Sequence, residues 1–234
     1  LNGRVVIVTG ANSGLGFHTS KALARQGARL IMACRNLEKG EEARHLIMQE
    51  TPEHKPELWM LDLASLDAVR AFAAKFKASF KHLDLLINNA GLMAIPYGRT
   101  ADGFEMQFGV NHLGHFALTA LLWDQISKVP HSRIVTVSSA AHHIGRIRFE
   151  DIHWEKKYSK WGAYGMSKLS NLLFTSELAR RLKGAGLPVL ALSSHPGYAS
   201  TELQTKAAKM RGSNLGVASF RLANRLVAQS AENG

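Results

Sequence analysis

Short apolar runs alternate along the chain with longer segments in which apolar residues recur every three to four positions. Residues 4–9, 28–33, 57–61, 83–88, 133–138 and 188–193 read as strands. Residues 14–27, 37–50, 65–80, 103–127 and 161–183 read as helices, the second ending before Pro52. The strand runs are apolar without alternation, as expected of strands covered on both faces. Strand, helix and strand in regular succession predict an α/β fold, a doubly wound parallel sheet with helices on both faces. Its ligand crevice then lies at the carboxyl ends of the strands. Beyond residue 203 no further strand is found, residues 214–231 read as helical, and the C-terminus reads as incomplete. No linker or repeat divides residues 1–234, which are expected to form a single domain.

Composition narrows the class. With 46% hydrophobic and 20% charged residues the chain is of ordinary globular type. No stretch reaches the ~18 consecutive apolar residues needed to cross a bilayer. Cys34 is the only cysteine, which leaves neither an intrachain disulfide nor a cysteine metal cluster and fits a reducing, cytoplasmic setting. The chain opens with Leu1 rather than Met, so an upstream anchor stays an open alternative. Net charge is +11, and residues 155–234 hold twelve Lys/Arg against four Asp/Glu. An anionic cofactor, a membrane surface or nucleic acid could each answer that charge. Lys206, Lys209, Arg211, Arg221 and Arg225 form no stripe interleaved with aromatics, so no nucleic-acid partner is expected. The pairs His112/His115 and His142/His143 lack carboxylates at ligand spacing, so no metal is expected and packing or surface roles are.

Every candidate motif falls at the end of a strand or on the helix that follows. Thr9-Gly10-Ala11-Asn12-Ser13-Gly14-Leu15-Gly16 joins the first strand to the first helix. Gly10 permits a tight turn there, and Gly14 and Gly16 let backbone N–H groups approach a pyrophosphate. The second strand ends in Ala33-Cys34-Arg35-Asn36, with no carboxylate before Glu38. A guanidinium at that place suits a ribose 2′-phosphate, so NADP(H) is expected over NAD(H), with Ser13 adding a hydroxyl.

Tyr164-Gly165-Met166-Ser167-Lys168 sets a phenol and an ammonium four residues apart, on one face of a helix. A phenol of pKa ~10 is a poor base at neutral pH, and a neighbouring ammonium would lower that value. Ser138 and Ser139 end the fifth strand, and one of them should hydrogen-bond a substrate oxygen.

The Thr-Gly-x3-Gly-x-Gly spacing followed by Tyr-x3-Lys resembles the short-chain dehydrogenase/reductase family over nearly the whole chain. The likeness is strongest to its retinol-dehydrogenase-like branch, including the WW-domain oxidoreductases. Residues 9–16, 33–36, 100–104, 110–116 and 168–182 carry it. The resemblance implies a Rossmann-type NADP(H)-binding domain transferring hydride between the coenzyme and a carbonyl or alcohol. It implies Tyr164 as general acid/base, Ser139 rather than Ser138 as the polarising hydroxyl, and Lys168 on the nicotinamide ribose. Asn111 is implied to hold a water linking Lys168 to solvent. Coenzyme contacts are implied for Gly10, Ser13, Gly14, Leu15, Gly16, Arg35 and Asn36. They extend to Asp62 and Leu63 at the adenine, to Asn89, Ala90 and Gly91, and to Pro196, Gly197, Ala199 and Thr201 beside the carboxamide. The outer helices 103–127 and 161–183 imply a homodimer or homotetramer. Tyr164 follows Ser139 by 25 positions, across an insert with His142, His143, Phe149, Trp154, Tyr158 and Trp161. That insert either walls an apolar pocket for a lipophilic aldehyde, ketone or alcohol, or packs on the protein's own surface. The alternative function is an NADP(H)-sensing protein without catalysis.

Overall fold

The computed structural model describes residues 1–197, 199–200 and 229–230. Six parallel strands form one sheet in the order β3-β2-β1-β4-β5-β6. They are β1 (Val5–Thr9), β2 (Arg29–Cys34), β3 (Glu57–Met60), β4 (Leu85–Asn88), β5 (Arg133–Val137) and β6 (Leu190–Ser194). The reversal of strand order between β1 and β4 opens a crevice at their carboxyl ends.

All five residues of β1 are buried, because alternate side chains enter separate cores on the two faces. Val5 and Ile7 join a cluster with Phe72 and Phe76 of α3 (Leu66–Ser79). Val6 and Val8 join one with Leu23 of α1 (Gly14–Arg25) and Ile47 of α2 (Leu37–Glu50). Helix α2 begins where Asn36 accepts a hydrogen bond from the Lys39 N–H at 2.8 Å, and it ends just before Pro52 as its sequence predicts.

The long helix expected over residues 103–127 is broken. Residues 100–105 form a turn, with Gly103 at φ +85° and Thr100 Oγ1 accepting from the Asp102 and Phe104 N–H groups. Buried Glu105 then caps the short helix α4 (Met106–Phe108), accepting from Phe108 N–H at 2.7 Å. A π-helical turn, Gly109–Leu113, follows before α5 (Gly114–Leu121) and α6 (Trp123–Ile126). A side chain at position 109 would overlap the Thr100 methyl group, so glycine lets this turn lie against the preceding loop. Helix α7 (Lys160–Gly184) is continuous, capped by Ser159 accepting from Gly162 N–H at 3.2 Å.

Strand β6 also departs from expectation. It starts at Leu190 because Pro188 has no N–H to pair. Among the described residues it is the outermost strand of the sheet, and Leu190 and Leu192 are 48% and 43% exposed. Of the stretch expected to be helical, 214–231, Gln229–Ser230 instead forms a strand (β8) parallel to Ala199–Ser200 (β7), in a second sheet. Two residues carry little propensity of their own, and partner pairing decides their state. The remainder of that stretch lies outside the described residues.

Candidate active site

At the carboxyl end of β1 the chain turns with Gly10 at φ +65° and Gly14 at φ +52°, a region that favours glycine. A Cβ at Gly10 would lie 2.9 Å from Ala90 Cα, and one at Gly16 would overlap the Gly10 carbonyl. The turn is therefore drawn against residues 89–91 and delivers the first N–H groups of α1 to the crevice. Gly14, Leu15 and Gly16 supply N–H groups that precede the helical ladder, which suits a pyrophosphate. Ser13 is the N-terminal flanking residue of that helix. Cys34 braces the turn from β2. Burial pushes its thiol up to about 11, with the N–H groups of Ala11 and Asn12 pulling the other way.

Arg35 and Asn36 follow β2 at the same edge, both exposed. Arg35 forms no ion pair with a described residue. Asn36 spends its side-chain oxygen on the α2 cap. Asp62 closes β3 with a local turn, Oδ1 accepting from Ala64 N–H at 2.9 Å, and Leu63 is buried against Gly114. Asn89 donates through Nδ2 to Thr9 O at 2.8 Å. The Asn89 and Ala90 N–H groups both donate to Thr9 Oγ1, at 2.9 and 3.0 Å. Gly91 sits where a Cβ would come within 3.2 Å of Asn111 Oδ1 and 3.6 Å of Lys168 Nζ.

Helix α7 presents Tyr164 and Lys168 to this edge, both buried, with Nζ 5.9 Å from the phenol ring centroid. Lys168 Nζ donates to Val137 O at 3.0 Å, and burial lowers its pKa to about 8. Burial also raises the pKa of Tyr164, against a hydrogen bond from Ser139 that lowers it. The expected lowering of the phenol by the ammonium is thus not found: burial dominates, and the group that opposes it is the Ser139 hydroxyl. The two serines part company. Ser138 Oγ donates to the Lys168 carbonyl at 2.9 Å within the core. Ser139 starts the 3-10 helix Ala140–Ile144, accepting from Ala141 N–H at 3.2 Å, and meets the phenol.

Asn111 occupies the π-helical turn and is fully buried. Its Oδ1 accepts from Leu92 N–H at 2.7 Å, and Nδ2 donates to Leu92 O and to Ser167 Oγ, each at 2.9 Å. Both amide hydrogens are thereby used, so this side chain fastens the loop after β4 to α7. Pro196 and Gly197 follow β6, with Gly197 at φ +66° donating its N–H to His195 Nδ1 at 3.1 Å. Ala199 lies in β7, and Thr201 falls outside the described residues.

A crevice that gathers a glycine turn, a serine, a tyrosine and a lysine can be compared with known proteins. The family model of the short chain dehydrogenases matches residues 4–212. The chain belongs to this family. Among curated relatives, human retinol dehydrogenase 11 is 53% identical over 211 residues, covering 90% of this chain and 66% of that protein. Human retinol dehydrogenase 13 is 53% identical over 202 residues, covering 86% of this chain and 60% of the relative. The chain thus spans somewhat under two thirds of the length of these relatives. A crystal structure of an uncharacterised protein from Mycobacterium paratuberculosis is 52% identical, with a TM-score of 0.76 over 88% of this chain and 72% of that one.

Within this short chain dehydrogenase domain the 139–164 insert divides in two. Trp154 is buried with Phe108, Ala163 and Met166, and Tyr158 packs against that cluster. Tyr158 donates to Ile95 O at 3.0 Å and accepts from Gln107 Nε2 at 2.8 Å. These aromatics pack on the protein itself. Trp161 is the aromatic of the insert beside the phenol, edge-on at 6.1 Å, while Phe149 is 83% exposed. Sequence alone places Thr9 in the glycine motif and His115 in a histidine pair with a packing or surface role, and shows neither as a link of the site, although a hydroxyl on the last residue of a buried strand is a signal at Thr9. Among the described residues no group of three or more His, Cys, Asp or Glu could hold a metal, and no helix is long and apolar enough to cross a membrane.

Proposed function

We propose that this chain is an NADP(H)-dependent oxidoreductase that interconverts a lipophilic carbonyl compound and its alcohol, of the retinal and retinol class. The observation that carries the reading is the meeting of Ser139, Tyr164 and Lys168 beside Gly91, at the strand edge where the glycine turn offers its N–H groups. The coenzyme, when bound, supplies or accepts the hydride. Gly10, Gly14, Leu15 and Gly16 hold its pyrophosphate, and Arg35 and Asn36, with the Ser13 hydroxyl, its 2′-phosphate. Asp62 and Leu63 bound the adenine. Asn89, Ala90, Gly91, Tyr164 and Lys168 face the ribose end, and Pro196, Gly197, Ala199 and Thr201 the carboxamide.

On reduction, Tyr164 Oη gives its proton to the substrate oxygen, and on oxidation it takes that proton back. The high pKa that burial gives the phenol keeps it protonated, in the form needed as an acid. Ser139 donates to the same oxygen and stabilises the charge that develops there. Lys168, held by Val137 O, brings positive potential to the phenol. Asn111 is a positioning residue through Leu92 and Ser167. Lipophilic substrates are supported by the names of the relatives and by Trp161 beside the phenol. The exposed Phe116 and Leu173, on α5 and α7, support a homodimer through those helices, and the buried thiol of Cys34 is compatible with a cytoplasmic setting.

The test of coenzyme choice is Arg35→Asp. The ratio of NADPH to NADH affinity, measured by titration, is expected to fall by roughly 10–100-fold as a charge-assisted contact becomes a repulsion. An unchanged ratio removes Arg35 from the 2′-phosphate.

A further inference from the structure

His115 lies on α5, 2% exposed, between the glycine turn and the π-helical turn. Its Nε2 is 2.8 Å from Thr9 Oγ1, and its Nδ1 is 3.1 Å from Asn111 O. The proton positions follow from counting donors. A threonine hydroxyl has two lone pairs and one proton. The N–H groups of Asn89 and Ala90 both donate to Thr9 Oγ1, which fills the lone pairs. The Thr9 proton must then leave toward an acceptor. His115 Nε2 is nearer than the Ile87 carbonyl, which lies at 3.3 Å. The other end of the ring gives the same answer independently. A carbonyl can only accept, so Nδ1 carries the hydrogen directed at Asn111 O.

We propose that His115 is a positioning residue, neutral with its proton on Nδ1, that ties the glycine-rich turn to the helix bearing Tyr164. Every link of the chain it completes points one way. The N–H groups of Asn89 and Ala90 donate to Thr9, Thr9 to His115, and His115 to the Asn111 carbonyl. Asn111 Nδ2 donates on to Ser167 Oγ at 2.9 Å, and Ser167 donates to the carbonyl of Tyr164 itself at 2.7 Å. Thr9, Asn111 and Ser167 are all fully buried, so no water competes for these bonds. Burial disfavours an imidazolium most, and the neighbouring Lys168 and His112 add to it, against the Asn111 carbonyl that favours one. The bridge sets the phenol in register with the turn that holds the dinucleotide, and this consequence rests on the oxidoreductase reading above.

Two readouts test it. Proton–nitrogen correlation spectra of histidine-labelled protein, with His115 assigned from His115→Gln or His115→Asn, should show the Nδ1–H tautomer at pH 6 and pH 8 alike. An Nε2–H tautomer, or a ring protonated at pH 6, overturns the proposal. The two variants each keep half of the bridge. Gln retains an acceptor for Thr9, and Asn retains a donor for the Asn111 carbonyl. Each should lower kcat by roughly 10–100-fold, the effect of a slightly misplaced reacting group. His115→Gln should keep NADPH affinity near wild type, while His115→Asn should weaken it several-fold. Variants that lose thermal stability yet keep wild-type kcat and NADPH affinity overturn the positioning role. Wild-type protein that neither binds NADPH nor turns over would defeat the oxidoreductase reading instead, and the tautomer would still decide whether the bridge exists.

Discussion

Tyr164→Phe is expected to lower kcat by about 10²–10⁴-fold, the range that a positioned proton donor supplies, while changing NADPH affinity far less. The substitution removes one hydroxyl and keeps the ring. The edge contact with Trp161 at 6.1 Å and the approach of Lys168 at 5.9 Å both survive. Ser139 loses its phenol partner but keeps the bond from Ala141 N–H, so its rotamer has little reason to change. Steady-state kinetics beside a coenzyme titration separates the two quantities. A fall in affinity that matched the fall in kcat would mean that Tyr164 serves binding rather than proton transfer.

The second large effect is expected at Lys168, with opposite signs for activity and stability. Lys168→Met should reduce turnover by about 10²-fold or more, by removing the charge beside the phenol and the contact proposed for the nicotinamide ribose. It should also stabilise the fold by about 1–3 kcal/mol at pH 7, because a fully desolvated ammonium is costly to bury. The Val137 carbonyl that Nζ contacts stays satisfied by Asn171 Nδ2 at 3.1 Å. The pH dependence identifies the cause. Burial places the lysine at about 8 in the folded protein, below its ordinary value of 10.5. Between those values the unfolded chain binds more protons than the native one, so wild-type stability should rise as pH increases through that interval. Below about 8 the full desolvation cost remains. Denaturant unfolding from pH 7 to 10 should show this rise in wild type and its loss in Lys168→Met. A variant less stable than wild type at pH 7 would show that the Nζ contacts outweigh desolvation.

Much of the architecture was legible in the sequence because burial on both faces erases alternation. β1, with all five residues inside, declares itself from composition alone. Helix α2 was legible to the residue, since Asn36 and Pro52 mark its ends with local chemistry. The region after residue 100 was not. Apolar periodicity cannot register a single widened turn, and the π-helical segment depends on Gly109 meeting Thr100. The membership of the site was readable in part. Tyr164 and Lys168 share a helix face, and spacing shows that. The choice between Ser138 and Ser139 is not local, because β5 ends at Val137 and the 3-10 helix beyond it sets both side chains. The bridge from Thr9 to His115 spans 106 positions and leaves no trace in either segment. The aromatic insert was ambiguous for a similar reason, as only packing shows that Trp154 turns inward while Phe149 faces solvent.

One measurement bears most directly on the central claim, a calorimetric titration of the purified protein with NADPH and, separately, with NADH. NADPH should bind at least about tenfold more tightly than NADH, as expected of an arginine that closes on a 2′-phosphate. Equal affinity, or tighter binding of NADH, would contradict the assignment of Arg35, and binding of neither would contradict the coenzyme site itself.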